Sequence, residues 1–322
     1  MKDVFLILVS DYMSKYTLQD LNKIDNVKVV NRVGAFRNRI IEKIFRFHTA
    51  VKVNNIINIP FKTIWYNLLF LSYIKNKSPN YIVMTHPWFN KELMFFFRKK
   101  LPSVKIILQC QDTVAYCLKS HNKLSINILK DYFDGIVVYN ELDAKKYGLY
   151  YHPVGYSKID KSTLPSYEHV DVCFIGAAKN RLNEIREVYK ILTDSGLKCF
   201  FYVTEVPESQ KCNDGLIYGE IMSFEEYLGR EMSADCLVEI IQNGSTGRTY
   251  RMMEAIIYNK KLITNCPECK KLSYYDDRFF HYFTNVNKIN PDFVKNRVKP
   301  DYKYKGEFSP IELLNDISMH WR

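Results

Sequence analysis

Short apolar runs alternate with stretches of helical spacing along the whole chain, and this alternation is the first guide to its fold. Val4 to Val9 and Val27 to Val30 read as buried strands with an amphipathic segment between them. Tyr81 to Thr85, Lys105 to Leu108 and Ile136 to Tyr139 follow as further strands, each succeeded by a helical pattern. Alternation of this kind predicts an open parallel sheet covered on both faces. The periodicity lapses over Tyr156 to Val170, where Ser, Lys, Thr and Pro accumulate, so residues 157–170 read as a linker. It then restarts with strands at Val170 to Ile175, Leu197 to Val203 and Leu216 to Tyr218, and a helix over Ser223 to Met232 that Ser223 can cap. The prediction is α/β, with Rossmann-like domains over 1–156 and 171–308. A C-terminal helix over 309–322 should lay Ile311, Leu314, Ile317 and Trp321 back on the body.

One βαβ unit carries the most distinctive local chemistry. An apolar run from Cys236 to Ile241 passes through Gly244, Ser245, Thr246, Gly247 and Arg248 into a helical stretch containing Glu254, then into the strand Leu262 to Thr264. A small-residue turn at a helix start gathers free backbone N–H groups at the positive end of the helix dipole, which attracts phosphate. Arg248 adds a fixed charge there, and Glu254 lies deep enough to meet ligand hydroxyls. The turn from Gly176 to Arg181, with Lys179 and Arg181, makes a second such candidate. The plain alternative at either place is an ordinary βα turn.

Charge changes the picture more than composition does. The 322 residues are 47% apolar and 25% charged, as in ordinary globular proteins. The formal charge of +11 is confined to one half: residues 1–156 hold 23 Lys and Arg against 11 Asp and Glu, whereas 157–322 hold 23 against 24. A basic first half implies an anionic partner, either a membrane surface, a lipid diphosphate or nucleic acid, or else a solvated face. Arg37, Arg39, Lys43, Arg46 and Lys52 alternate with Phe36, Ile40, Ile41, Phe45 and Phe47, which fits a membrane-surface face or a core stripe with snorkelling cations. No run nears the roughly 18 apolar residues that span a bilayer, and the start lacks a signal-peptide pattern, so the expected location is cytoplasmic. Eight scattered cysteines suit reduced thiols. The pair in Cys266-Pro267-Glu268-Cys269 has no second ligand pair, so no metal is expected.

His86 and Asp112 stand just past strand ends, where open parallel sheets place function, although a lone His or Asp at a strand end is common and more often has a hydrogen-bonded structural role.

The run from Ile217 to Asn265, with Tyr218-Gly219-Glu220-Ile221, Glu254-Ala255 and Lys261-Leu262-Ile263-Thr264, resembles the donor-binding half of bacterial glycosyltransferases related to the large retaining GT-B group. Phe174-Ile175-Gly176, Lys179 and Arg181 match the opening of that domain. The resemblance covers about 100 residues well and the first half only in architecture. It implies two Rossmann-like domains facing a cleft, a nucleotide-sugar donor, UDP-linked, and no cofactor or metal. Lys179 and Arg181 would meet the donor diphosphate, Ile221 the nucleobase, Gly244 to Arg248 the distal phosphate and sugar, and Glu254 the ribose. The acceptor would be a glycan or a lipid-diphosphate-linked glycan of surface polysaccharide, O-antigen or capsule. The enzyme would sit peripherally on the anionic inner face of the plasma membrane, with Arg37, Arg39, Lys43 and Arg46 on that side. Thr246 replaces an acidic residue of the retaining group, so stereochemistry stays open; if the reaction inverts, His86 or Asp112 would be the base. The rival readings are a polyol-phosphate transferase of the same architecture and a non-enzymatic nucleic-acid-binding protein. The second lacks a recognition motif, so no nucleic acid is expected.

Overall fold

The computed structural model describes residues 2–120, 124–242 and 247–322. The chain divides into two compact units, Met1–Ile159 with Phe308–Arg322, and Asp160–Glu307.

The first unit is built on a six-stranded sheet in the order β2-β1-β3-β4-β5-β6. Its strands are β1 (Phe5–Val9), β2 (Val27–Asn31), β3 (Tyr81–Thr85), β4 (Lys105–Cys110), β5 (Gly135–Val138) and β6 (Tyr150–Tyr151). Every pairing is parallel, with Phe5 opposite both Val27 and Tyr81. All five residues of β1 and of β3 are buried, because helices cover both faces and leave no polar side to the pleat. One face packs under the helices Thr63–Lys77 and Lys91–Lys100 through Tyr66, Phe70, Leu93 and Phe97. The other face receives the C-terminal helix Ile311–His320, whose Leu313, Leu314 and Ile317 join Phe5, Ile7, Val83 and Val137. Trp321 closes over Gly135, where a Cβ would stand 2.3 Å from the indole.

The second unit repeats the plan in the order β12-β11-β10-β7-β8-β9. Its strands are β7 (Val170–Ala177), β8 (Cys199–Thr204), β9 (Ile217–Tyr218), β10 (Ala234–Glu239), β11 (Lys261–Thr264) and β12 (Phe280–Tyr282), again all parallel. The helix Phe224–Met232 begins at Ser223, whose Oγ accepts from the Glu226 N–H at 3.1 Å, the capping that the sequence predicts. Each sheet reverses its order once, between β1 and β3 and between β7 and β10. The crevices beyond the carboxyl ends of those strands are where such sheets bind ligands.

The segment 157–170 is packed at both ends. Ser157 is fully buried in the first unit, its N–H donating to Thr17 O at 2.9 Å and its Oγ accepting from Asp20 N at 3.0 Å. Tyr167 lies in the second unit, its ring 3.8 Å from the Arg230 guanidinium. Phe45 needs a correction: it is fully buried, edge-on to Phe36 and Trp65, and belongs to the core instead of a membrane contact. It faces inward because one turn of the helix Arg39–His48 must close over the sheet, while Ile40, Ile44 and Phe47 of the same helix stay exposed.

Candidate functional site

At the reversal point of the second sheet, β7 ends in Gly176 and Ala177, and Arg181 stands at the start of the helix Leu182–Asp194. Its guanidinium turns back over the strand ends, Nε and Nη2 donating to Ala177 O at 3.3 and 3.1 Å and Nη1 to Ile240 O beyond β10. Gly176 lies directly beneath the guanidinium, where a Cβ would be in van der Waals contact with Nη2 at 3.5 Å. Burial, and then the charge of Arg251, push Arg181 down to about 10, so it remains a cation at neutral pH. Lys179 is exposed two residues earlier with φ of 44°, a left-handed conformation within the tight βα turn. Cationic groups and a helix start therefore converge on the crevice between β7 and β10.

The other side of that crevice is the segment leading into the helix Tyr250–Ile257. Gly244, Ser245 and Thr246 lie outside the described residues. Gly247 has φ of 107°, which favours glycine, and Arg248 is half-buried beside it. Thr249 caps the helix, its Oγ1 accepting from Met252 N at 3.2 Å and donating to Glu239 at the end of β10. Thr264 of β11 donates to the same carboxylate. Glu239 thus fastens the start of this helix to two strand ends, and its pKa is raised by burial against those hydrogen bonds.

Beneath the crevice runs a polar network that the sequence pattern does not reveal. Arg251 donates to Glu231 Oε1 at 2.8 Å, to Val238 O at 3.0 Å and to Ile175 O, joining β7, β10 and the helix Phe224–Met232. Glu231 is fully buried. Burial lowers the Arg251 pKa, but the carboxylates of Glu231 and Glu254 and the Tyr227 phenol outweigh it and drive the value up. Glu254 is also fully buried and accepts from Tyr227 Oη at 2.5 Å, so the ribose contact that the resemblance implies would have to reach a carboxylate that the structure keeps out of solvent. Ile221 is the reverse case, 79% exposed on a loop held to β8, where Gly219 N donates to Val203 O and Tyr202 Oη to Glu220 O. Arg251 and Glu239 looked like ordinary members of a helix and a strand; only a charged residue within an almost wholly apolar stretch hinted at either.

In the first unit His86 follows β3 directly. Its Nδ1 lies 3.5 Å from Cys117 Sγ, and its ring meets Tyr116 edge-on. The Cys117 thiol is drawn down to about 6 by the Cys110 thiol, against burial, with His86 contributing next. Asp112 is exposed and accepts from the neighbouring Thr113 N at 2.8 Å, the arrangement of a turn. Arg37, Arg39, Lys43 and Arg46 are all exposed. Cys266 and Cys269 are buried, and among the described residues no three His, Cys, Asp or Glu side chains converge as metal ligands. Nor is any helix among them long and apolar enough to cross a membrane.

The sequence matches no family model and no curated protein. Solved structures are similar over almost the full length. A lipopolysaccharide outer core galactosyltransferase shares 11% identity at a TM-score of 0.51, with 99% of this chain and 100% of that chain covered. Sucrose-phosphate synthase from Thermosynechococcus elongatus shares 8% at 0.51, with 100% and 98% covered. A UDP-N-acetylglucosamine 2-epimerase from Listeria monocytogenes shares 10% at 0.50, with 100% and 97% covered. At such identities the likeness establishes the fold, which is that of the GT-B glycosyltransferases, with two Rossmann-like domains.

Proposed function

We propose that this chain is a glycosyltransferase that moves a sugar from a UDP-linked donor to a glycan or lipid-diphosphate-linked acceptor of surface polysaccharide. The observation that carries the reading is Arg181, held over the ends of β7 and β10 by Ala177 O and Ile240 O at the reversal point of the second sheet. A glycosyl bond breaks as the leaving diphosphate gains charge, and a cation already fixed where that charge develops stabilises the transition state without reorganising. Arg181 and Lys179 serve the diphosphate from the β7 side, Gly247 and Arg248 from the β10 side. The exposed Ile221 offers an apolar surface to the base. His86 is the better placed of the two base candidates, since Asp112 is tied into its own turn. With cations filling the part of a divalent ion, transfer needs no metal.

The test is a thermal-shift titration with UDP, followed by a transfer assay in EDTA. A ligand at 100 times its Kd adds about 2.7 kcal/mol of stability, a readily measured shift. Lys179→Gln with Arg248→Ala should shrink that shift, and transfer should persist in chelator. Absence of any shift with UDP, GDP, CMP or TDP would remove the donor site. The similarity to an epimerase raises a second reading in which the same crevice holds a nucleotide sugar that is altered without an acceptor; conversion of a UDP-sugar by the protein alone would favour it.

A further inference from the structure

The first sheet has a reversal point as well, between β1 and β3, and a cavity of about 560 Å³ opens there. Ser10 follows β1, Arg32 follows β2 and His86 follows β3, so all three strand ends contribute to its wall. Lys43, Arg46 and Lys52 enter from the helical segments above. No carboxylate lines the cavity among the described residues.

Arg32 is the fixed element. Its Nη1 donates to Pro87 O at 3.2 Å, and its Nη2 to Thr49 Oγ1 at 2.7 Å and Arg46 O at 3.2 Å. These bonds hold a guanidinium in the wall without neutralising it, since carbonyls and a hydroxyl carry no charge. Burial, and then the nearby charge of Arg46, push Arg32 down to about 10, so it is still a cation at neutral pH. Lys43, Arg46 and Lys52 form no ion pair among the described residues, although Lys and Arg elsewhere in the chain do. Like charges gathered in a concave wall focus a positive potential inward, and the ligand that relieves it is an anion. The volume exceeds what a bare phosphate needs and falls in the range of small-molecule sites.

We propose that this cavity binds the phosphate or diphosphate of the sugar acceptor, held by Arg32, Lys43, Arg46 and Lys52 with His86 at its edge. The identification as an acceptor rests on the proposed transfer reaction; the anion site itself does not. The phosphate can belong to a lipid headgroup or to a soluble sugar phosphate. The helix that supplies Lys43 and Arg46 exposes Ile40, Ile44 and Phe47, so an apolar tail would find a surface next to the cavity.

Isothermal titration of the full-length protein in saturating UDP, which occupies the donor crevice, tests this with three probes: inorganic pyrophosphate, geranyl diphosphate and glucose 1-phosphate. Pyrophosphate should bind, and the triple variant Lys43→Gln, Arg46→Gln, Lys52→Gln should weaken it at least about tenfold, because charge-assisted contacts are lost. The same variant should keep the wild-type affinity for UDP, and an unchanged tryptophan unfolding transition in urea reports that the first unit, which holds Trp65, Trp88 and Trp321, is folded. Tighter binding of geranyl diphosphate than of pyrophosphate assigns the site to a lipid headgroup, and tighter binding of glucose 1-phosphate assigns it to a soluble acceptor. No binding of any probe, or equal binding by the triple variant, overturns the proposal. Should UDP fail to bind while pyrophosphate does, the transferase reading falls and the anion cavity stands.

Discussion

Arg251 and Glu231 carry the heaviest electrostatic burden on single side chains in the second unit. Both are largely taken from water, and their 2.8 Å contact is supported by Val238 O and Ile175 O, which accept from Nη1 and Nη2 of the same guanidinium. Among the described residues Glu231 Oε2 has no hydrogen-bond partner, so the carboxylate relies on Arg251 for its direct ion pair, with the nearby Lys260 charge acting on it as well. Arg251→Met should therefore destabilise the protein by about 3–5 kcal/mol, the cost of stranding a buried carboxylate, as read from urea unfolding. Glu231→Gln in the same background should restore part of that loss, because a neutral amide tolerates the site better than an orphaned charge. A single variant with wild-type stability would mean that the pair is hydrated and contributes little. Nothing in the local sequence announces this pairing: residues 231 and 251 sit on different helices, and only the fold decides that they meet.

At the scale of elements, the helix Arg39–His48 illustrates what a pattern of basic and apolar residues can and cannot say. Its sequence fits a membrane face or a core stripe, and the structure buries Phe45 while leaving Ile40, Ile44 and Phe47 exposed among Arg37, Arg39, Lys43 and Arg46. Farther along, Ile56, Ile57 and Phe61 are more than two-thirds exposed, and Ile64 and Leu68 project from the next helix one turn apart. Exposed apolar side chains in such number, beside unpaired cations, suit an anionic bilayer. Each Lys or Arg near such a surface adds about 1 kcal/mol, and salt weakens it. The expectation is flotation with anionic vesicles at low salt, reduced by raising the salt and by Arg37→Gln with Arg39→Gln. Phe47→Ser with Phe61→Ser should lower binding at every salt concentration, since apolar insertion is not screened. Equal flotation with neutral and anionic vesicles would leave this face without an electrostatic partner. Phe45→Ser, by contrast, should act on folding.

For the whole molecule, strand periodicity made both sheets legible, because a parallel sheet covered on two faces needs continuous apolar runs such as Phe5–Val9 and Tyr81–Thr85. The short edge strands Tyr150–Tyr151 and Phe280–Tyr282 were not legible, since two or three residues carry no period; the equally short Ile217–Tyr218 showed only through the apolar Leu216 beside it. Of the candidate site, Lys179 and Arg181 stand out from their turn in the sequence, whereas Arg32 does not, because its place in the cavity comes from three strand ends that the chain order separates. The closing helix was readable from the spacing of Ile311, Leu314 and Ile317, but its destination required the sheet. It returns to the first unit, covering Phe5, Ile7 and Val83 and setting Trp321 against Gly135. All three tryptophans, at 65, 88 and 321, belong to that unit, so indole fluorescence follows its unfolding alone. Ending the chain after Ser309 uncovers that sheet face and forfeits the burial of Leu313, Leu314 and Ile317, on the order of 5 kcal/mol at about 1.5–3 kcal/mol for each side chain. The fluorescence transition of Trp65 and Trp88 should accordingly fall to much lower urea, while UDP still binds, because the donor crevice lies wholly in Asp160–Glu307. Loss of UDP binding together with the tryptophan transition would instead make the two units a single folding unit, and an unchanged transition would reduce the C-terminal helix to an appendage.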